Sequence, residues 1–268
     1  MGDMKHRLIS LVLPALTLPA LAHAEDAPAD APAAATAQAA APAEVEFSAD
    51  RPGYADGTAV VPVFRLQTEA GVTADLADHY KAYSLPDLLL RFGLTDWLEA
   101  RLAVPTFNLI KPETGKSLNG LGDLGVGVKA AHAFGEALTT SLVADVSLPT
   151  GGKNFTSDGV DPEVELNVAY DATDRLSLGC NAKYAYATQP GEGEVSGSLS
   201  LGVGVTDDLG TFVEGIGVKP ASGDAVIAAG VGATYMVGPL TQLDLSFTTD
   251  VSGTGFDKTI GAGVAVLW

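Results

Sequence analysis

Thirteen charged side chains stand at alternate positions within apolar stretches of this chain, and the chemistry open to them is electrostatic. They are Arg65, Glu69, Asp87, Arg91, Glu99, Arg101, Asp123, Lys129, Asp145, Glu163, Glu165, Lys183 and Asp244. Five are positive and eight negative. Glu99 and Arg101 are two residues apart, so in a strand they share a face. Arg91 lies on the other side of Thr95-Asp96, and a hairpin there brings it within reach of Glu99. Opposite charges confined together must pair, because an unpaired charge in a low-dielectric interior is costly. Two roles follow from such a set. One is a salt-bridge network that fills a protein interior. The other is a polar constriction that selects what passes, with Arg65, Glu69, Asp87, Arg91, Glu99, Arg101, Lys129, Asp145, Lys183 and Asp244 as the candidate lining.

Other chemistries find little support. Gly120-Leu121-Gly122-Asp123-Leu124-Gly125 fits the G-x-G-x-x-G spacing, but it enters an alternating stretch and not a helix, so no dinucleotide site is expected. His79 and His132 are the only histidines beyond residue 24, and neither has a serine or carboxylate partner evident in the sequence for nucleophilic catalysis. The carboxylates are spread over many stretches and form no local metal signature, so neither a metal nor another cofactor is expected. Cys180 is the single cysteine, which excludes an intrachain disulfide and suggests a small buried hydrophobe.

The elements that must position these charges read as strands. From Val61 onward the hydrophobic period is two, and 31 glycines speak against helices. Twelve strands are expected, at about 61–74, 81–94, 98–109, 121–134, 138–149, 162–170, 176–187, 195–205, 211–219, 225–237, 241–251 and 259–268. In the first, Phe64, Leu66, Ala70 and Val72 oppose Val63, Arg65, Gln67 and Glu69. In the sixth, Val164, Leu166, Val168 and Tyr170 oppose Glu163, Glu165 and Asn167. The ninth breaks the rule, because Phe212, Glu214, Ile216 and Val218 share one face; a bulge or shifted register there would explain it.

A soluble sandwich alternates too, so connection lengths must decide. The connections after even-numbered strands are short, and three of them repeat a Thr-Asp pair at 95–96, 173–174 and 206–207, suited to tight turns. Those after odd-numbered strands are longer, with about a dozen residues at 110–120 and 150–161. This segregation predicts an all-β fold, an antiparallel transmembrane β-barrel of about 12 strands with short periplasmic turns and longer extracellular loops. An even count puts both ends of the barrel at the periplasm and the last strand, ending at Trp268, beside the first. Aromatics collect near both ends. Phe92, Trp97, Phe134, Tyr170, Tyr235 and Trp268 lie toward the short turns. Tyr80, Tyr83, Phe107, Tyr184, Tyr186 and Phe247 lie toward the long loops. They form two interfacial belts.

The N-terminal portion divides in three. Residues 1–24 read as a signal peptide, with Lys5 and Arg7 before an apolar run and Ala22-His23-Ala24 at the cleavage site. Residues 25–44 are an Ala/Pro-rich disordered linker. Residues 45–60 are turn-rich and form a candidate partial plug, leaving 61–268 as the barrel. Without residues 1–24 the chain carries 13 basic and 32 acidic side chains, net −19, which argues against nucleic acid as a partner.

The segments SADRPGYADGTAVVP (48–62), LQTEAG (66–71), LPDLLLRFGLTDWLEARL (85–102), GLGDLGVGVKA (120–130), SLPTG (147–151) and PLTQLDLSF (239–247) resemble the outer-membrane transporter family named for the meta-pathway of phenol degradation. The resemblance spans roughly 47–268. It implies a channel in the bacterial outer membrane for small hydrophobic or aromatic compounds. It also implies that the family's charged motif positions fall on Glu69, Arg91, Glu99, Arg101, Lys129 and Asp244, without assigning them roles, and it carries over no catalytic residue. The expected function is passive diffusion of a small-molecule permeant through a narrow charged lumen. The expected partners are outer-membrane lipid and, through the C-terminal strand, the barrel-assembly machinery. Two alternatives stand beside it: a sealed structural or surface-binding barrel, and a lipid-modifying enzyme built on His79.

Overall fold

Period-two alternation makes a strand with two unlike faces, and here the strands pair antiparallel with their neighbours around a closed ring, the short strand Leu118–Leu121 alone having a strand on one side only among the described residues. The computed structural model describes residues 47–252 and 258–268, so the expected signal peptide and linker lie outside the described residues. Its strands are β1 (Leu66–Ala77), β2 (Tyr80–Gly93), β3 (Leu98–Val104), β4 (Phe107–Pro112), β5 (Leu118–Leu121), β6 (Leu124–Phe134) and β7 (Leu138–Leu148), followed by β8 (Asp161–Thr173), β9 (Leu176–Ala187), β10 (Glu192–Gly204), β11 (Leu209–Pro220), β12 (Val226–Gly238), β13 (Thr241–Asp250) and β14 (Lys258–Leu267). β3 and β4 continue one another along β2 and are separated by Pro105-Thr106. Proline has no N–H to give the ladder, which accounts for the break. β5 and β6 likewise continue one another, along β4 and β3. The fourteen segments therefore make twelve staves, and the pairing of β1 with β14 closes them into an antiparallel barrel.

The barrel is turned inside out relative to a soluble protein. Arg91, Lys129, Gln67, Glu69, Glu99 and Glu165 are among its most deeply buried side chains, whereas Leu199 is 71% exposed and Leu142, Leu166, Val231 and Leu245 are also outward and exposed. Water would penalise such a wall, and lipid accepts it, so this is a transmembrane barrel of the bacterial outer-membrane kind. No helix of the described residues is long and apolar enough to cross a membrane, which bears only on helices. Phe92, Trp97, Phe134, Tyr170, Tyr235 and Trp268 are all exposed at the short-turn end. The closing seam runs from Gln67 beside Leu267 to Leu76 beside Lys258, and Trp268 finishes it: its N–H donates to the Leu66 carbonyl at 2.8 Å and its indole Nε1 to Thr68 Oγ1 at 3.1 Å.

The short turns use their threonines as expected. Thr95 Oγ1 accepts from Trp97 N at 3.3 Å, Thr173 Oγ1 from Arg175 N at 3.3 Å, and Thr206 Oγ1 from Leu209 N at 3.0 Å. The segregation of loop lengths is softer than expected. β1 and β2 are joined by Asp78-His79 alone, so His79 sits in a tight turn and not in a long loop. The one long connection fully inside the described residues is 149–160.

Three further expectations need correction. The first strand begins at Leu66, not at 61. The Val61 N–H donates to Glu99 inside the barrel at 2.8 Å, and Phe64 adopts φ 59°, so the chain is still turning out of the lumen when it reaches the wall. The ninth stave, β11, carries no bulge or register shift against either neighbour. Its Phe212, Glu214 and Ile216 face the lumen, and Val213 faces out. Glycines opposite make the space: a Cβ on Gly232 would fall within 2.4 Å of the Phe212 ring, and one on Gly230 within 2.8 Å of the Glu214 side chain. Cys180, finally, is half-exposed on the outward face and not buried.

Candidate functional site

Residues 48–61 have no regular structure of their own, and their backbone groups must find partners elsewhere. They find them on the inner wall. Asp50 N and Arg51 N both donate to the Glu69 carboxylate of β1, each at 3.1 Å. Tyr54 N donates to Glu214 of β11 at 3.0 Å, and Asp56 N to Glu165 of β8 at 3.1 Å. The carbonyls of Ser48 and Ala59 accept from Arg91 of β2, at 3.1 and 3.0 Å. The Gly57 carbonyl accepts from Lys129 of β6 at 2.9 Å and from Ser141 of β7 at 3.2 Å. Thr58 shares a hydroxyl hydrogen bond of 2.6 Å with Thr139. The segment thus crosses the lumen and is fastened to staves on opposite sides of it.

At its centre is Asp50. One carboxylate oxygen receives Lys129 Nζ and, at 2.9 Å, the N–H of Gly57; Arg91 Nη1 stands 3.3 Å away. The other oxygen receives Arg101 Nη1. Burial alone would push this carboxyl up, but Lys129, Arg91 and Arg101 hold it well below the usual carboxylate range. Arg91 is itself wholly buried and bridges Glu69 and Glu99, each at 2.8 Å. Arg101 adds Asp56 at 2.7 Å. Burial, and then the neighbouring Asp50 charge, push Asp56 up to about 7, with Arg101 opposing. Next to this cluster Arg51 forks onto Asp244 of β13, with Nε and Nη2 each 3.3 Å from an oxygen. Only glycine fits beside that fork. A Cβ on Gly71 would lie 2.4 Å from the guanidinium and one on Gly263 2.3 Å from its Nε.

The expected lining residues divide accordingly. Glu69, Arg91, Glu99, Arg101 and Lys129 converge on Asp50, and the inferred Arg91–Glu99 pair across the hairpin is present. Asp244 serves Arg51. Lys183 pairs with Glu163 at 3.0 Å and Glu165 at 2.8 Å, and lies 5.9 Å from the Tyr54 ring centroid. Asp145 is 3.7 Å from Arg101 Nε. Asp123 belongs to the loop end, where it accepts from Gly151 N at 2.7 Å and Ser157 N at 2.8 Å. Asp87 is exposed and accepts from Thr106 Oγ1 at 3.3 Å, apart from the cluster. Arg65 is not on a strand; it sits in the turn before β1, with a buried Nε that has no hydrogen-bond partner.

The residues that organise the cluster, Asp50, Arg51 and Asp56, were not among the expected lining, although their segment was singled out as a plug. The available signal was a run dense in Asp, Arg and Gly directly after an Ala/Pro linker. On the loop side of Arg101 a cavity of about 210 Å³ remains, bordered by Leu89, Ala103, Asp123, Asp145, Asp161 and Glu163. A larger depression of about 650 Å³, between Leu201, Val213, Val231, Leu245 and Phe247, lies on the outer, lipid-facing wall and is remote from this chemistry.

The histidines offer less. His79 Nδ1 is 3.8 Å from Glu113, a carboxylate partner not evident in the sequence, but both side chains are largely exposed. His132 packs edge-on against Phe134 at 4.5 Å on the outer face. Among the described residues no three His, Cys, Asp or Glu side chains are grouped to hold a metal ion.

A family model described as "Putative MetA-pathway of phenol degradation" matches residues 49–268. No curated relative matches the chain. Among solved structures, the chain is similar to the COG4313 outer membrane channel from Pseudomonas putida F1, with 15% identity, a TM-score of 0.59, and coverage of 81% of this chain and 99% of that one. It is also similar to the NanC porin, with 12% identity, a TM-score of 0.52, and coverage of 75% and 98%. The KdgM porin gives 12% identity and a TM-score of 0.50, with coverage of 74% and 98%. At these identities the likeness is one of fold.

Proposed function

The chain belongs to this phenol-degradation family, and from that premise we propose that it is a passive channel of the bacterial outer membrane, carrying small molecules through a lumen narrowed by residues 48–61. The observation that carries this reading is the charged interior. A barrel that merely anchors itself in lipid has no need for Asp50, Arg91, Arg101 and Lys129 to converge on a segment laid across its bore. Twelve staves lie between the eight that side chains fill and the sixteen that leave an open pore, so a single crossing segment suffices to constrict the passage. The family's description and the charged-but-neutralised lumen fit small, weakly polar permeants such as aromatic compounds.

In this reading Arg91, Glu99 and Glu69 are the fixed frame, and Asp50, Arg51 and Asp56 are the detachable half of the constriction. Arg101, Lys129, Asp145, Lys183 and Asp244 line the route beside them. In this reading neither histidine takes part in the passage: His79 stands 3.8 Å from an exposed Glu113, and His132 lies on the lipid-facing wall. The exposed aromatic belt ending at Trp268 contacts outer-membrane lipid, and the terminal strand is the surface offered to the barrel-assembly machinery. Purified protein reconstituted into liposomes tests the proposal. Swelling in small solutes at rates above protein-free vesicles is the expected result; vesicles as tight as the controls would refute it.

A further inference from the structure

We propose that the place on the inner wall where Tyr54 rests is a binding site for a free para-alkylphenol, and that Tyr54 competes with the permeant for it. The inference deepens the channel reading and rests on it for the ligand's arrival, but the site itself is made of groups on the wall. Tyr54 projects from the segment as a phenol on a short carbon stem. Its backbone N–H is held by Glu214 of β11 at 3.0 Å, and its hydroxyl meets the side chain of Ser196 on β10. In the register of these two staves Ser200 lies beside Glu214, Ser198 beside Ile216 and Ser196 beside Val218. The ring, strung between Glu214 and Ser196, therefore lies along the staves over Ser198 and Ile216. Ser196, Ser198 and Ile216 face the lumen, yet they are only 6%, 6% and 7% exposed. Lys183 Nζ of β9 completes the seat, 5.9 Å from the ring centroid and so within the ~6 Å over which a cation is drawn to an aromatic face.

Each of these groups suits a ring carrying one hydroxyl. Ser196 partners the hydroxyl, Lys183 attends the ring, and Ile216 gives it apolar contact. All three belong to β9, β10 and β11, which are paired with one another and not through the segment, so the seat outlasts the departure of Tyr54. β11 is also the stave whose inward face breaks the polar pattern. Phe212, two residues from Glu214 toward the periplasm, is only half-buried on that face and continues the apolar strip. Charge pairing accounts for the polar staves but leaves Ile216 and Phe212 without a role. Contact with an apolar ring supplies one. Tyr54 is itself half-exposed, which leaves a way in for a competitor.

Isothermal titration calorimetry on the purified full chain in detergent tests this, with 4-methylphenol as probe and toluene as the same ring without the hydroxyl. The native chain binds only in proportion to the time its seat stands empty, so Tyr54→Ala is expected to bind 4-methylphenol about tenfold more tightly. It is expected to prefer 4-methylphenol to toluene, and Ser196→Ala added to it to erase that preference. Heat-modifiable gel migration reports whether each variant is folded. With 3-fluorotyrosine incorporated at position 54 of the otherwise native chain, the fluorine NMR signal is expected to move toward that of a solvent-exposed tyrosine as 4-methylphenol is added. Equal affinity of the native chain and a folded Tyr54→Ala would overturn the proposal. So would a folded Tyr54→Ala that does not distinguish the two rings, or a fluorine signal that 4-methylphenol leaves in place. Because these readouts are of binding, a chain that takes up the phenol but passes no solute would refute the channel while leaving the site standing, and a conducting chain without phenol binding would do the reverse.

Discussion

At Asp50 three cations share one buried carboxylate, and each was brought out of water on the strength of the others. Breaking a buried pair by removing one partner typically costs about 3–5 kcal/mol, because the remaining charge is left uncompensated. Asp50→Ala strands positive charge on Lys129 and Arg101, so the segment is expected to undock while the barrel stays closed. Limited proteolysis between residues 47 and 61 should then cut the variant within minutes under conditions that leave the native chain intact; equal resistance would show that Asp50 is not the anchor. Arg91→Met should be more severe, because Arg91 serves the wall as well as the segment through Glu69 and Glu99. Its expected signature is a lower unfolding temperature together with the same proteolytic sensitivity.

At the scale of the element, residues 48–61 respond to pH through Asp56. Undocked in water its carboxyl titrates near the ordinary 3.8, and docked it is pushed up to about 7. The docked state therefore binds the proton more tightly, so acidification through this window strengthens docking and rising pH through 7 weakens it. Asp50 is shifted the other way and stays ionised throughout. Proteolytic protection of the segment should rise from pH 8 to pH 5, and Asp56→Asn should flatten that dependence. The same segment marks where sequence reasoning stops. The faces of β1, β3, β8 and β9 could be read from alternation alone, because the lipid side tolerates no charge. The Arg91–Glu99 pair could be read too, because the short hairpin at Thr95-Asp96 fixes their relation. That Asp50 sits among Arg91, Arg101 and Lys129 could not, since a chain without regular structure carries no periodicity to say which way it folds. β11 misled for a related reason: Phe212 and Ile216 face inward against Gly232 and its neighbours, and apolar inward residues imitate a reversed strand.

For the whole molecule, stability depends on the outward face matching lipid. Leu142 stands exposed on β7 near the middle of the wall. An arginine on the lipid face costs about 2–4 kcal/mol at the bilayer midplane. Leu142→Arg should thus lower the denaturant midpoint for unfolding in lipid vesicles, whereas Thr139→Arg at the periplasmic end of the lumen should act mainly on the segment. Closure by β14 on β1 was foreseeable from an even stave count and a terminal aromatic. The loop lengths were less so, because β1 and β2 meet through two residues and Pro105 divides a stave without ending it.

The claim on which the rest depends is that residues 48–61 constrict a conducting lumen. Arg91 keeps Glu69 and Glu99 as partners when the segment is gone, so a chain lacking 45–59 should still fold. Single-channel recording in planar bilayers compares the two directly. The native chain is expected to give small, steady steps, and the shortened chain steps several-fold larger. Equal conductance in the two, with both barrels folded by heat-modifiable migration, would contradict the account.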